Sequence, residues 1–89
     1  MKPLVGRNKR VALAAVGEAI NMDGRPRHDL ALNRYVDATR FEDAASRFRA
    51  LTPHLKSKHQ ATRFDEALRA LIAGGYVREC AGWLWILTR

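Results

Sequence analysis

Two amphipathic stretches joined by one proline-bearing turn, with a pair of short apolar runs directly behind them, restrict the fold of this 89-residue chain more than any other feature. In the first stretch Phe41, Ala44, Ala45, Phe48 and Leu51 recur at helical spacing, which predicts a helix from about Ala38 or Arg40 to Leu51. Thr39-Arg40-Phe41-Glu42 has the spacing of a capping box, and Asp37 as the cap would set Val36 against Phe41 as a staple. Thr52-Pro53 stops the helix, because proline disfavours helical geometry in the residue before it. After His54 to Ser57, a second stripe of Ala61, Phe64, Leu68, Leu71 and Ile72 predicts a helix from about Lys58 to Ala73, closed by Gly74-Gly75. Tyr76-Val77-Arg78-Glu79 and Trp83-Leu84-Trp85-Ile86-Leu87 then flank Cys80-Ala81-Gly82, the pattern of a β-hairpin.

Upstream, Leu13, Val16, Gly17 and Ile20 predict a helix from about Asn8 to Asn21, with Asn8 placed to cap it. Met22 to Pro26 ends it: Gly24 tolerates a left-handed backbone and Pro26 cannot continue the ladder. Leu30 to Val36 alternates as a short strand does, although Leu32, Tyr35 and Val36 also share helical spacing; the strand reading is preferred. The expected class is therefore mainly α with a small β-hairpin (α+β): a winged helix-turn-helix of three helices plus a wing. Residues 1–7 read as a disordered N-terminal extension and 8–89 as the one winged-helix domain that this length accommodates.

Sixteen Lys and Arg stand against nine Asp and Glu, a formal net charge of +7, which favours a polyanionic partner. The distribution says more than the sum. No acid occurs from Ala44 to Phe64, while Arg47, Arg49, Lys56, Lys58 and Arg63 all fall there, bracketed by Glu42-Asp43 and Asp65-Glu66. In a winged helix that run covers the turn and the start of the third helix, the part that enters the major groove. Free backbone amides at a helix start attract phosphate, so Lys56, Ser57 and Lys58 are the candidate phosphate contacts. Arg63, with His59, Gln60 and Thr62, is the candidate for base edges, since the forked donors of Arg match guanine. Arg69 flanks that face. Glu66 could accept from cytosine or pair with Arg63 or Arg69. The plain alternative is a solvated basic face.

One cysteine, Cys80, permits no intrachain disulfide, fits a reducing compartment and excludes a cysteine-built metal site. No apolar run reaches membrane-span length and no signal peptide stands out, so a cytoplasmic protein without membrane contact is expected. His28, His54 and His59 lack metal-ligand spacing. The adjacent carboxylates Glu42-Asp43 and Asp65-Glu66 do not face one another on a helix. No enzyme, cofactor or metal is expected. Trp83 and Trp85 share one side of a strand; at least one is expected to complete the core, the other reading being stacking on single-stranded bases.

Asn8-Lys9-Arg10-Val11-Ala12-Leu13, the run Ala61 to Ile72, Gly75-Tyr76-Val77 and Gly82 to Leu87 together resemble a winged-helix module found at the C-terminal ends of plasmid- and phage-type replicative ATPases and primase-helicases. The likeness rests mainly on core positions. It implies a replication-accessory or other DNA-handling role, without ATP hydrolysis, because no Gly-x-x-x-x-Gly-Lys-Ser/Thr loop occurs. Three functions are carried forward. The first is a DNA-binding replication module or transcriptional regulator, with double-stranded DNA as partner. The second is a phage- or plasmid-borne adaptor, binding a host protein or its own copy through the Trp83/Trp85 hairpin. The third is an RNA-binding module.

Overall fold

In the computed structural model residues 6–29 and 33–87 are described. The chain runs α1 (Arg7–Asp23), β1 (Arg25–Asp29), β2 (Arg34–Arg40), α2 (Phe41–Leu51), α3 (Ser57–Ala73), β3 (Val77–Cys80) and β4 (Trp83–Ile86). The strands form one antiparallel sheet in the order β1-β2-β4-β3. Strand β2 precedes α2 and pairs with β4, and the β3–β4 hairpin follows α3. This is a winged-helix arrangement, enlarged by the extra edge strand β1.

Strand β1 departs from the expected helix stop. Its sequence, Arg-Pro-Arg-His-Asp, carries little strand propensity, but it pairs along its whole length with β2, from Arg25 opposite Ala38 to Asp29 opposite Arg34. Pro26 is tolerated because β1 is an edge strand, where no second ladder needs its missing N–H. The short strand expected at Leu30 to Val36 is β2, displaced toward the C-terminus; Leu30, Ala31 and Leu32 lie outside the described residues. Ala38 and Arg40, considered as helix starts, are strand residues, and Cys80 ends β3 instead of lying in the turn.

The helix ends also differ in cause. Helix α1 begins at Arg7 with Gly6 as its cap, so Arg7 leaves the expected extension and Asn8 does not cap. Gly24 is extended (φ −67°, ψ 147°), not left-handed. A Cβ there would collide with the Ile20 carbonyl oxygen, the acceptor for the Gly24 N–H. Neither Thr39 nor Asp37 caps α2; instead the Phe41 N–H donates to the Gly82 carbonyl in the wing turn, at 2.9 Å. Gly74-Gly75 does end α3. Gly75 adopts φ +80°, its N–H reaches Ile72 O at 3.1 Å, and the Tyr76 N–H reaches Leu71 O at 2.9 Å, a Schellman closure.

The core lies between the helices and one face of the sheet, built from Val16, Phe48, Phe64, Leu68, Leu71, Val77 and Leu84, with alanines at the helix contacts. Ala12, Ala15 and Ala19 are buried on α1 and Ala67 on α3, where small side chains let these packed helices approach closely. That approach rotates α3 relative to its largest apolar residues. Its buried set is Gln60, Phe64, Ala67, Leu68 and Leu71, while Ala61 and Ile72, expected inside, are exposed.

Candidate nucleic-acid interface

Helices α2 and α3 are joined by the turn expected from Thr52-Pro53, and buried hydrogen bonds fix its shape. Thr52, 1% exposed, donates its hydroxyl to Phe48 O at 2.8 Å, while the Leu55 N–H donates to Thr52 O at 3.0 Å. Gln60 completes the clasp. Its amide nitrogen donates to Thr52 O at 2.8 Å and to Arg49 O at 3.1 Å, adding a second donor to carbonyls at the end of α2 that already accept the Leu55 and Thr52 N–H groups. Gln60 is 7% exposed, so it does not join the candidate base contacts; its amide is spent on holding the two helices in register.

Lys56 is the N-cap of α3, without a side-chain cap, and the first turn holds no acid. Its carbonyl accepts the N–H groups of His59 and Gln60, both at 2.9 Å. The N–H groups of Ser57 and Lys58 precede them at the exposed tip, where a helix dipole presents positive charge. Lys56, Ser57, Lys58 and His59 are all exposed, with no ion pair among the described residues. Helix α2 differs: Glu42 and Asp43 occupy its first turn and offset its own dipole. The start of α3 is thus an uncompensated positive end, with exposed Arg49 and His54 nearby in sequence.

Farther along α3 the character changes. With Gln60, Phe64, Ala67 and Leu71 inside, the outward face is centred on Thr62 and Arg69, and Arg63 lies toward α1, beside Asn8 and Lys9. The Arg63 guanidinium contacts Glu66 at 3.4 Å, and Arg69 contacts Asp65 at 3.1 Å. The Thr62 hydroxyl donates back to Lys58 O at 3.2 Å. Between α3 and the wing lies a groove lined by Phe41, Leu68 and Ile72 and edged by Asp65 and Glu79. The wing is a tight turn through Ala81 (φ +53°) and Gly82 (φ +84°), where the Gly82 N–H donates to Glu79 at 2.9 Å. The turn itself carries no lysine or arginine to place on a phosphate, and the one cation of its two strands, Arg78, is held by Asp29. Positive charge at this surface is therefore concentrated at the start of α3, not spread along it.

No known family, curated protein or solved structure matches this chain.

The hairpin tryptophans take different positions. Trp85, 4% exposed, donates its indole N–H to Asp29 at 2.5 Å, and Arg78 contacts the same carboxylate oxygen at 3.2 Å. Trp83 is half-buried beneath two guanidiniums, Arg27 at 4.7 Å and Arg40 at 5.1 Å from the ring centre. Trp83 is thus covered by charges from β1 and β2, and the exposed large apolar side chains among the described residues lie elsewhere, at Met22, Tyr35, Phe41 and Ile72. Arg25, Arg27, Arg34 and Arg40 lie outside the acid-free basic run and form no motif in the sequence. Their even spacing within each segment is the signal that would have found them, once those segments were recognised as strands.

Among the described residues no helix is long and apolar enough to cross a membrane, and no three His, Cys, Asp or Glu side chains gather as a metal site.

Proposed function

We propose that this chain is a winged-helix domain that binds double-stranded DNA through the start of α3, acting in the cytoplasm as a replication-accessory module or transcriptional regulator. One observation carries the reading: Lys56, Ser57, Lys58 and His59 stand exposed and unpaired at the uncapped, acid-free start of a 17-residue helix, immediately after the clasped turn. Lys56, Ser57 and Lys58 contact phosphates. His59 and Thr62 follow on the outward side with Arg69 two turns beyond, and Arg63 flanks that side toward α1. Exposed ion pairs contribute only about 0–1 kcal/mol, so Arg63 can exchange Glu66 for a guanine edge at little cost. Asp65, Glu66 and Glu79 repel phosphate from the second half of the helix and from the wing, which confines the footprint. The resemblance to modules of replicative ATPases agrees with this role.

The test is an anisotropy titration of the full chain with duplex DNA, single-stranded DNA and RNA across a range of salt. Lys56→Ala/Lys58→Ala is expected to weaken binding to all duplex sequences alike and to flatten the log K against log salt slope by about 2. Arg63→Ala is expected to relax preference among sequences. An unchanged slope in the double variant removes the start of α3 from the interface, and tighter binding to RNA replaces the partner.

A further inference from the structure

Strand alternation sorts the charges of the sheet. The pairings Arg25 with Ala38, Arg27 with Val36 and Asp29 with Arg34 fix which residues share a side across β1 and β2. Arg40 opposite Trp83, and Arg78 opposite Trp85, extend that side across β4 and β3. One face, turned from the helices, therefore carries Arg25, Arg27, Arg34, Arg40 and Arg78. The exposed acids Asp37 and Glu79 fall on the other face, with Leu84. Among the described residues the carboxylate on the arginine face is Asp29, which is 1% exposed and already holds Arg78 and Trp85.

Arg25, Arg27, Arg34 and Arg40 are exposed and have no carboxylate partner among the described residues. Arg27 and Arg40 are anchored over Trp83 through their π contacts, which position a guanidinium while leaving its N–H donors unused. Like charges brought together in this way repel, and an anion laid across them relieves that repulsion. Forked guanidinium donors match phosphate oxygens. Among the described residues this face offers no free aromatic ring for base stacking: Trp85 is buried, Trp83 is already covered, and the exposed Tyr35 falls on the other face opposite His28. A stacked single strand therefore has no platform here, whereas the backbone of a duplex needs only the charges.

We propose that the outer face of the sheet is a second, sequence-independent contact surface for the phosphate backbone of duplex DNA, made by Arg25, Arg27, Arg34 and Arg40 and separate from the start of α3. It rests on duplex DNA being the partner, not on α3 being the part that touches it. The experiment is a salt-dependent titration of the full chain with a random-sequence duplex, comparing wild type, Arg25→Gln/Arg34→Gln and Lys56→Ala/Lys58→Ala, with anionic lipid vesicles as a separate arm. Loss of two phosphate contacts flattens the salt slope by about 2, so the affinity advantage of wild type over Arg25→Gln/Arg34→Gln should shrink about tenfold between about 50 and about 200 mM salt. Arginine-directed phenylglyoxal labelling of the wild-type chain, read by mass spectrometry, supplies a measurement independent of variant folding. Bound duplex should protect Arg25 and Arg34. Unchanged labelling of these two with protection of Arg63 overturns the sheet surface and leaves the α3 reading standing. Protection of the sheet arginines with an inert Lys56→Ala/Lys58→Ala variant does the reverse. Binding to vesicles but not to duplex overturns both.

Discussion

On α3, Arg63 and Arg69 each sit within reach of a carboxylate about one turn away, whereas Arg25, Arg27, Arg34 and Arg40 on the sheet have none among the described residues. The difference follows from backbone geometry. A helix brings residues three and four apart together, so the mixed sequence Arg63-Phe64-Asp65-Glu66 with Arg69 neutralises itself. A strand sends alternate residues to opposite faces, so acids and bases interleaved along the chain are separated. The α3 surface consequently keeps net positive charge only at its start, while the sheet collects charge over a whole face. A run of basic residues in a sequence is therefore a poor guide to a basic surface until the local period is known.

The largest effect that tests this contrast lies at Asp29. On α3 Glu66 is exposed and Asp65 half-buried; among the described residues of the arginine face the acid, Asp29, is buried beneath its partners. Asp29→Ala leaves the Trp85 indole and the Arg78 guanidinium without their shared acceptor. A loss of roughly 3 kcal/mol is expected, the range for breaking a buried charged pair. A drop of more than about 10 °C in melting temperature would register it for a domain of this size. A melting curve like that of the wild type would mean the carboxylate does not organise that side of the sheet.

Gln60→Ala is next. It removes the clasp between α2 and α3, while Arg49 O and Thr52 O keep their backbone donors, for an expected loss of about 1 kcal/mol in urea unfolding. Its binding to duplex, measured well below the melting point, should fall through disorder of the turn and not through loss of a base contact; sequence preference is expected to stay the same. A change of preference with unchanged stability would return Gln60 to the interface.

The smallest effect on stability, and the sharpest on the comparison, belongs to Asp65→Ala/Glu66→Ala. Removing these surface partners, Glu66 exposed and Asp65 half-buried, should change stability by no more than about 0.5 kcal/mol per site. It should tighten duplex binding and steepen its salt dependence by freeing Arg63 and Arg69. If affinity does not rise, the middle of α3 lies outside the footprint.

The segments that could be read directly were those with strong periodic patterns and unambiguous stops: α2 and α3 with the turn between them, the Gly74-Gly75 end and the β3–β4 hairpin. Less legible was the rotation of α3. Hydrophobic spacing pointed Ala61 and Ile72 inward, because a stripe drawn through large apolar residues ignores the close helix contact that buries Ala67 and the polar clasp that buries Gln60. Strand β1 was invisible for a related reason. Arg25 to Asp29 has neither an apolar face nor β-branched residues, and only its neighbour β2 supplies the hydrogen-bond ladder that makes it a strand.

By itself the sequence determined the helix-turn-helix, the hairpin behind it and the acid-free run through Lys56 and Lys58, because those depend on local period, on proline and glycine, and on composition. Tertiary structure alone decided which charges remain unpaired. Pairing between strands distant in sequence set the faces on which Arg27, Arg40 and Trp83 meet and buried Asp29 beneath Trp85. Charge pairing depends on distances of a few ångströms between residues far apart in the chain, and only the folded sheet fixes those distances.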